Sequence, residues 1–65
     1  MRLKDFLKVW HDVTWKTYVT NENGTKEYFN GSIHNLKKSE VDQNLEVVDI
    51  SIMDDYLFIS VKEEN

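Results

Sequence analysis

Leu3, Phe6, Leu7 and Trp10 recur at the spacing of one helical face, and Arg2, Lys4, Asp5 and Lys8 fill the other side. The pattern predicts an amphipathic helix that ends at His11-Asp12, where β-branched residues follow. Nine or ten residues do not hold a helix alone in water, so this one must dock on something. The period then changes from helical to alternating. Val13 to Thr20 reads as a strand, Asn21-Glu22-Asn23-Gly24 as a turn, and Thr25 to Ile33 as a second strand.

The register of this first hairpin can be argued from its faces. A two-residue Asn23-Gly24 turn would set Val19 against Tyr28 and scatter apolar residues over both faces. A three-residue loop with Gly24 in the left-handed conformation, a type I turn plus bulge, pairs Val19 with Glu27, Thr17 with Phe29, Trp15 with Gly31 and Val13 with Ile33. Apolar residues then gather on one face, so this register is preferred. Gly24 supplies the positive φ, and Gly31 is expected to leave room for Trp15 opposite it.

Residues 34–44 are polar, anchored by Leu36 and Val41; His34 to Lys38 reads as a short helix and Ser39 to Asp42 as a capped turn. Leu45 to Met53 and Tyr56 to Lys62 form a second hairpin around Asp54-Asp55. A two-residue turn pairs Ile52 with Leu57, Ile50 with Ile59 and Val48 with Val61. Asp tolerates the left-handed conformation that such a turn needs. Glu63-Glu64-Asn65 is expected to fray.

The order predicts a single small α+β domain over residues 1–65. Its N-terminal helix packs on one face of a four-stranded, mainly antiparallel sheet made of two β-hairpins (α-β-β-short helix-β-β). The expected core is Leu3, Phe6, Leu7, Trp10, Val13, Trp15, Val19, Phe29, Ile33, Leu36, Val48, Ile50, Ile52, Leu57, Ile59 and Val61. Strand order across the sheet is not readable.

The same registers assign the outer face. Tyr18 and Tyr28 sit opposite each other, Met53 faces Tyr56, and Ser51 faces Phe58. One helix cannot cover both faces, so Tyr18, Tyr28, Met53, Tyr56 and Phe58 are expected to be largely exposed. Aromatic and Met side chains gathered on one surface point to interaction.

Composition narrows the function. With 65 residues and no cysteine, the chain has neither disulfide nor thiolate metal site, and hydrophobic packing must hold it. His11 and His34 are too few for a closed zinc site without carboxylates. No apolar run approaches a membrane span or signal peptide, which predicts a complete small reading frame kept in the cytoplasm. Asn23-Gly24-Thr25 and Asn30-Gly31-Ser32 match the glycosylation pattern, yet turn and strand chemistry accounts for them. The charge is uneven. Residues 1–38 carry seven basic and four acidic residues, net +3, whereas residues 39–65 carry one and eight, net −7.

No catalytic motif stands out, and neither a cofactor nor a metal is expected. Asp54-Asp55 is explained by its turn, His11-Asp12 by the helix end, and His34 near Ser32 lacks a third partner. The pattern therefore favours a non-enzymatic protein-binding module. Tyr18, Tyr28, Tyr56, Phe58 and Met53 would supply packing, and Asp49, Asp54 and Asp55 charge. With Glu40, Asp42 and Glu46, those acids could occupy a basic groove as phosphate substitutes. Two alternatives stand beside this reading. One is a homodimer that buries the aromatic face. The other is single-strand nucleic-acid binding on a stacking platform, against which the net charge of −4 weighs.

The opening M-R-L-K-D-F-L-K-V-W, a strand, an N-G turn, an aromatic followed by x-G-S-I, and a closing acidic hairpin together resemble a group of short proteins. These are encoded by phages, prophages and mobile elements of Gram-positive bacteria. The resemblance implies a phage accessory protein that binds, and in some cases blocks, a host protein, as anti-CRISPR inhibitors do.

Overall fold

The computed structural model describes residues 1–62, so the expected fraying of the last three residues lies outside it. The chain is α+β. Helix α1 spans Leu3–Val9, strand β1 Lys16–Asn21, β2 Glu27–Ser32, helix α2 Ile33–Lys38, β3 Val47–Met53 and β4 Tyr56–Val61. The sheet order is β2-β1-β4-β3. Each hairpin is antiparallel, but β1 and β4 pair in parallel, so the sheet is mixed and the two hairpins join through its centre.

Helix α1 forms as the apolar stripe predicts. The Asp5 carboxylate accepts the Arg2 N–H at 3.2 Å, which satisfies a donor at the helix start. Lys8 sits in the last turn, where positive charge suits the helix dipole. Leu3, Phe6 and Leu7 are buried; Trp10 caps the end with its N–H on the Phe6 carbonyl at 3.1 Å. The next residues form a turn rather than the start of a strand. The Asp12 carboxylate accepts the Thr14 hydroxyl at 2.6 Å and its N–H at 3.1 Å, which bends the chain before β1 can begin. Val13 and Trp15 instead receive the first N–H groups of α2, from His34 and Ile33 at 2.9 and 3.0 Å. Ile33 therefore opens α2 instead of closing β2, and the Ser32 hydroxyl caps that helix by accepting the Asn35 N–H at 3.2 Å.

The first hairpin corrects the expected register. Thr17 lies opposite Gly31 and Val19 opposite Phe29, a shift of two residues. An even shift preserves the faces, so Val19 and Phe29 still point inward. The cause is Asn21. Its buried side chain accepts the Thr25 and Lys26 N–H groups at 2.9 and 3.2 Å and donates to the Thr25 hydroxyl at 3.0 Å, which templates a longer loop than the three-residue turn. Gly24 does adopt the left-handed conformation there, at φ 71°. Gly31 makes room for Phe29, not for Trp15, since a Cβ on it would lie 3.0 Å from the Phe29 ring.

The second hairpin follows its expected pairing from Met53–Tyr56 through Ile50–Ile59, with Asp54 and Asp55 at φ 50° and 65°. This is the turn geometry whose twist matches the flanking strands. A bulge then moves Val47, in place of Val48, opposite Val61. Val48 is exposed as a result, and β3 starts at Val47 instead of Leu45.

Both helices lie on one side of the sheet. The core joins Leu3, Phe6, Leu7, Ile33 and Leu36 to Val19, Leu57, Ile59 and Val61, with Leu45 completing it. Leu45 belongs to this core although its segment reads as strand. The Leu3 N–H donates to its carbonyl at 2.8 Å, which holds it beneath α1. Ile52, expected inside, is exposed near the tip of β3. Trp10, Val13, Trp15, Phe29 and Ile50 pack on the margin of the core, half-buried. Buried Thr17 is satisfied by donating to the Leu57 carbonyl at 2.9 Å.

Candidate functional site on the outer sheet face

Strands β1 and β4 run side by side at the middle of the sheet, and their parallel register sets Lys16 beside Tyr56, Tyr18 beside Phe58 and Thr20 beside Ser60. The inward side chains of these strands meet the two helices, so the alternate ones face away from them. The Tyr18 and Phe58 rings stack at 5.3 Å between centroids, with 10° between their planes. Tyr56 joins them at 5.4 Å from Tyr18 and 6.4 Å from Phe58. Met53 is opposite Tyr56, and Ser51 is opposite Phe58. The Lys16 ammonium sits 5.7 Å from the centre of the Tyr56 ring, within the range of a cation–π contact.

The expected exposure of these rings is corrected. Tyr18, Tyr56 and Phe58 are half-buried, because each covers part of the next, whereas Met53 is exposed. Tyr28 is not on this face at all. The bulge in the first hairpin sets Thr20 opposite Glu27 and leaves Tyr28 as the extra residue. Asn30 therefore lies opposite Tyr18, and Tyr28 turns to pack against the core. There it lines an open recess of about 610 Å³ with Phe29, Val41 and Leu45, and the Lys26 ammonium lies 5.1 Å over its ring.

The acidic residues do not form a single surface. Glu40 and Asp42 line the recess beside Tyr28, on the helical side. Asp49 lies on the outer face, where it accepts the Ser51 hydroxyl at 3.1 Å. Asp54 and Asp55, with Thr14, Trp15, Lys16 and Tyr56, line a second open recess of about 480 Å³ at the end of the aromatic cluster. The structure thus gathers Tyr18, Met53, Tyr56, Phe58, Asp49, Asp54 and Asp55 in or beside one surface and removes Tyr28 from it. It also adds Lys16, which sequence reasoning left out of the site because the β1–β4 pairing that sets it beside Tyr56 was not readable.

No family model, curated protein or solved structure matches this chain.

The remaining polar candidates have local roles. Asp12 spends its carboxylate on Thr14, whose hydroxyl and N–H hold its pKa below the usual carboxylate value. His11 and His34 are exposed. Among the described residues no group of three or more His, Cys, Asp or Glu is placed to hold a metal ion, and no helix is long and apolar enough to cross a membrane.

Proposed function

We propose that this chain is a non-enzymatic binding module that docks a protein partner on the outer face of its sheet. The observation that carries the proposal is the Tyr18–Tyr56–Phe58 cluster on the two central strands, on the side opposite both helices. Tyrosine and phenylalanine offer large contact area and lose few rotamers on binding, and flexible methionine adapts to the shape of a partner, which is why interface cores concentrate them. Asp49, Asp54 and Asp55 surround the cluster and favour a partner with basic side chains around an apolar anchor. The likeness to short phage and mobile-element proteins supports a host protein in that role, bound so as to block it.

The competing reading is a stacking platform for single-stranded nucleic acid. The stacked pair with Lys16 beside it favours this reading, and the surrounding carboxylates oppose it. An affinity pull-down from a Gram-positive lysate separates the two. Wild type is compared with Tyr18→Lys/Phe58→Lys, with and without nuclease, after circular dichroism has shown the variant folded. A protein retained by wild type, lost by the variant and insensitive to nuclease supports the proposal. Raised salt should weaken such a complex, because its rim is charged. Retention of nuclease-sensitive material alone, or no retention, overturns it.

A further inference from the structure

We propose that β3 is a self-pairing edge, and that two copies of this chain join their sheets through it, antiparallel about Ile50. This does not rest on the outer-face reading.

Among the described residues, strand β3 ends the sheet, with β4 as its one neighbouring strand. A two-residue turn is closed by a hydrogen-bonded pair, here Met53 and Tyr56, and such pairs alternate along an antiparallel ladder. The N–H and C=O groups of Ile52 and Ile50 therefore point away from β4, towards the open side. The beginning of that edge is already covered. Met1 accepts the Val47 N–H at 2.8 Å, and Leu3 donates to Leu45, also at 2.8 Å. The free stretch runs from Val48 to Met53.

This stretch carries one charge, Asp49, and is otherwise rich in exposed apolar side chains, where an unpaired edge is normally guarded more heavily. Met1, Val48, Ile52 and Met53 are 58%, 45%, 56% and 60% exposed; Val9 is the other large apolar residue so exposed among the described residues. Four of those five side chains thus lie along or beside one strand edge.

The sequence of the free stretch selects the occupant. Val48-Asp49-Ile50-Ser51-Ile52 alternates apolar and polar, and reads with the same pattern in both directions. A two-fold axis normal to the sheet keeps inner faces with inner faces, so the centre must fall on a residue. Centred on Ile50, Asp49 of each copy meets Ser51 of the other, and the exposed Val48 at the bulge comes beside the other copy's Ile52. Within one chain the Ser51 hydroxyl already donates to the Asp49 carboxylate at 3.1 Å, so the two groups are chemically matched. Centring on Asp49 would oppose two carboxylates, and centring on Ser51 would set Asp49 against Met53. The joined sheet has eight strands, and the aromatic clusters of both copies lie side by side on one surface, open to a partner.

Sedimentation of the full chain from micromolar to millimolar concentration tests this, with folding checked by circular dichroism. Wild type should form a dimer. Ile52→Lys, at an exposed position, should leave a folded monomer. Ser51→Asp sets like charges opposite each other and should weaken dimerisation at least about tenfold, and Asp49→Lys/Ser51→Asp should restore it. Should Ile52→Lys fail to fold, the Ser51 and Asp49 variants decide. A wild type that stays monomeric at millimolar concentration overturns the proposal. So does a dimer that survives Ser51→Asp, or one that Phe58→Lys abolishes while Ser51→Asp leaves it intact.

Discussion

Asp12 and Asn21 do the work of a longer loop with single side chains. Asp12 is fully exposed, yet two bonds from Thr14 favour its ionised form and lower its pKa. A carboxylate with a depressed folded-state pKa adds stability above its unfolded value and loses it as pH falls through the folded one. Thr14→Val removes the shorter bond. It should raise the Asp12 pKa towards the ordinary range, read by NMR titration, and leave the acid limb of stability flatter than in wild type. Asn21 is buried and its side chain makes three hydrogen bonds across the loop, so Asn21→Ala removes all three and should cost about 1–3 kcal/mol in urea unfolding. Neither role was legible in the sequence. Both residues read there as parts of a helix end and a turn, and whether a side chain turns inward to template a loop depends on the loop's closure, which no spacing reveals.

At the scale of elements, periodicity served well where a helix or a tight turn left no choice. The α1 stripe and the Asp54-Asp55 turn formed as their residues demand, and the second hairpin kept its register for as long as the ladder stayed regular. The bulge of the first hairpin falls at Tyr28 and not at the Gly24 loop, the second hairpin has one that alternation gives no sign of, and each moved a residue that mattered. One turned Tyr28 to the core side, and the other exposed Val48. A bulge adds one residue without any composition of its own, so alternation continues in the sequence while the side chains change face. Truncations should report the exchange. Leu45→Ala empties a buried site and should cost about 2–5 kcal/mol. Val48→Ala, expected from alternation alone to be as damaging, should cost under about 1 kcal/mol by the same denaturation. At the turn, Asp54→Asn/Asp55→Gly installs the pair that best tolerates positive φ at both positions and should add about 1 kcal/mol to the unfolding free energy.

For the whole molecule, the parallel β1–β4 seam decides both stability and site. It brings Tyr18 to Phe58 and buries Val19 beside Ile59 on the other side. Native-state hydrogen exchange should therefore find the amides that join β1 to β4 slowest and those that join β2 and β3 to them faster, because the outer strands are held from one side. Equal protection across all four strands would contradict this. The fold class was legible because two hairpins and a helix admit few arrangements. Tyr18, Tyr56 and Phe58 were legible as face partners from alternation, but the loss of Tyr28 to a bulge was not, nor was the compactness of the cluster, which depends on which hairpin edges meet.

The seam also has a consequence for synthesis. The strand that completes the middle of the sheet is β4, the one made latest of the four. While the chain is still on the ribosome, β1 has its hairpin partner on one side and bare backbone on the other. Docking of α1 lacks Leu57, Ile59 and Val61 beneath it until the same moment. A nascent chain halted inside the Asp54-Asp55 turn would hold both helices and three of the strands but not the middle of the sheet, so folding of this domain should wait until β4 has been made.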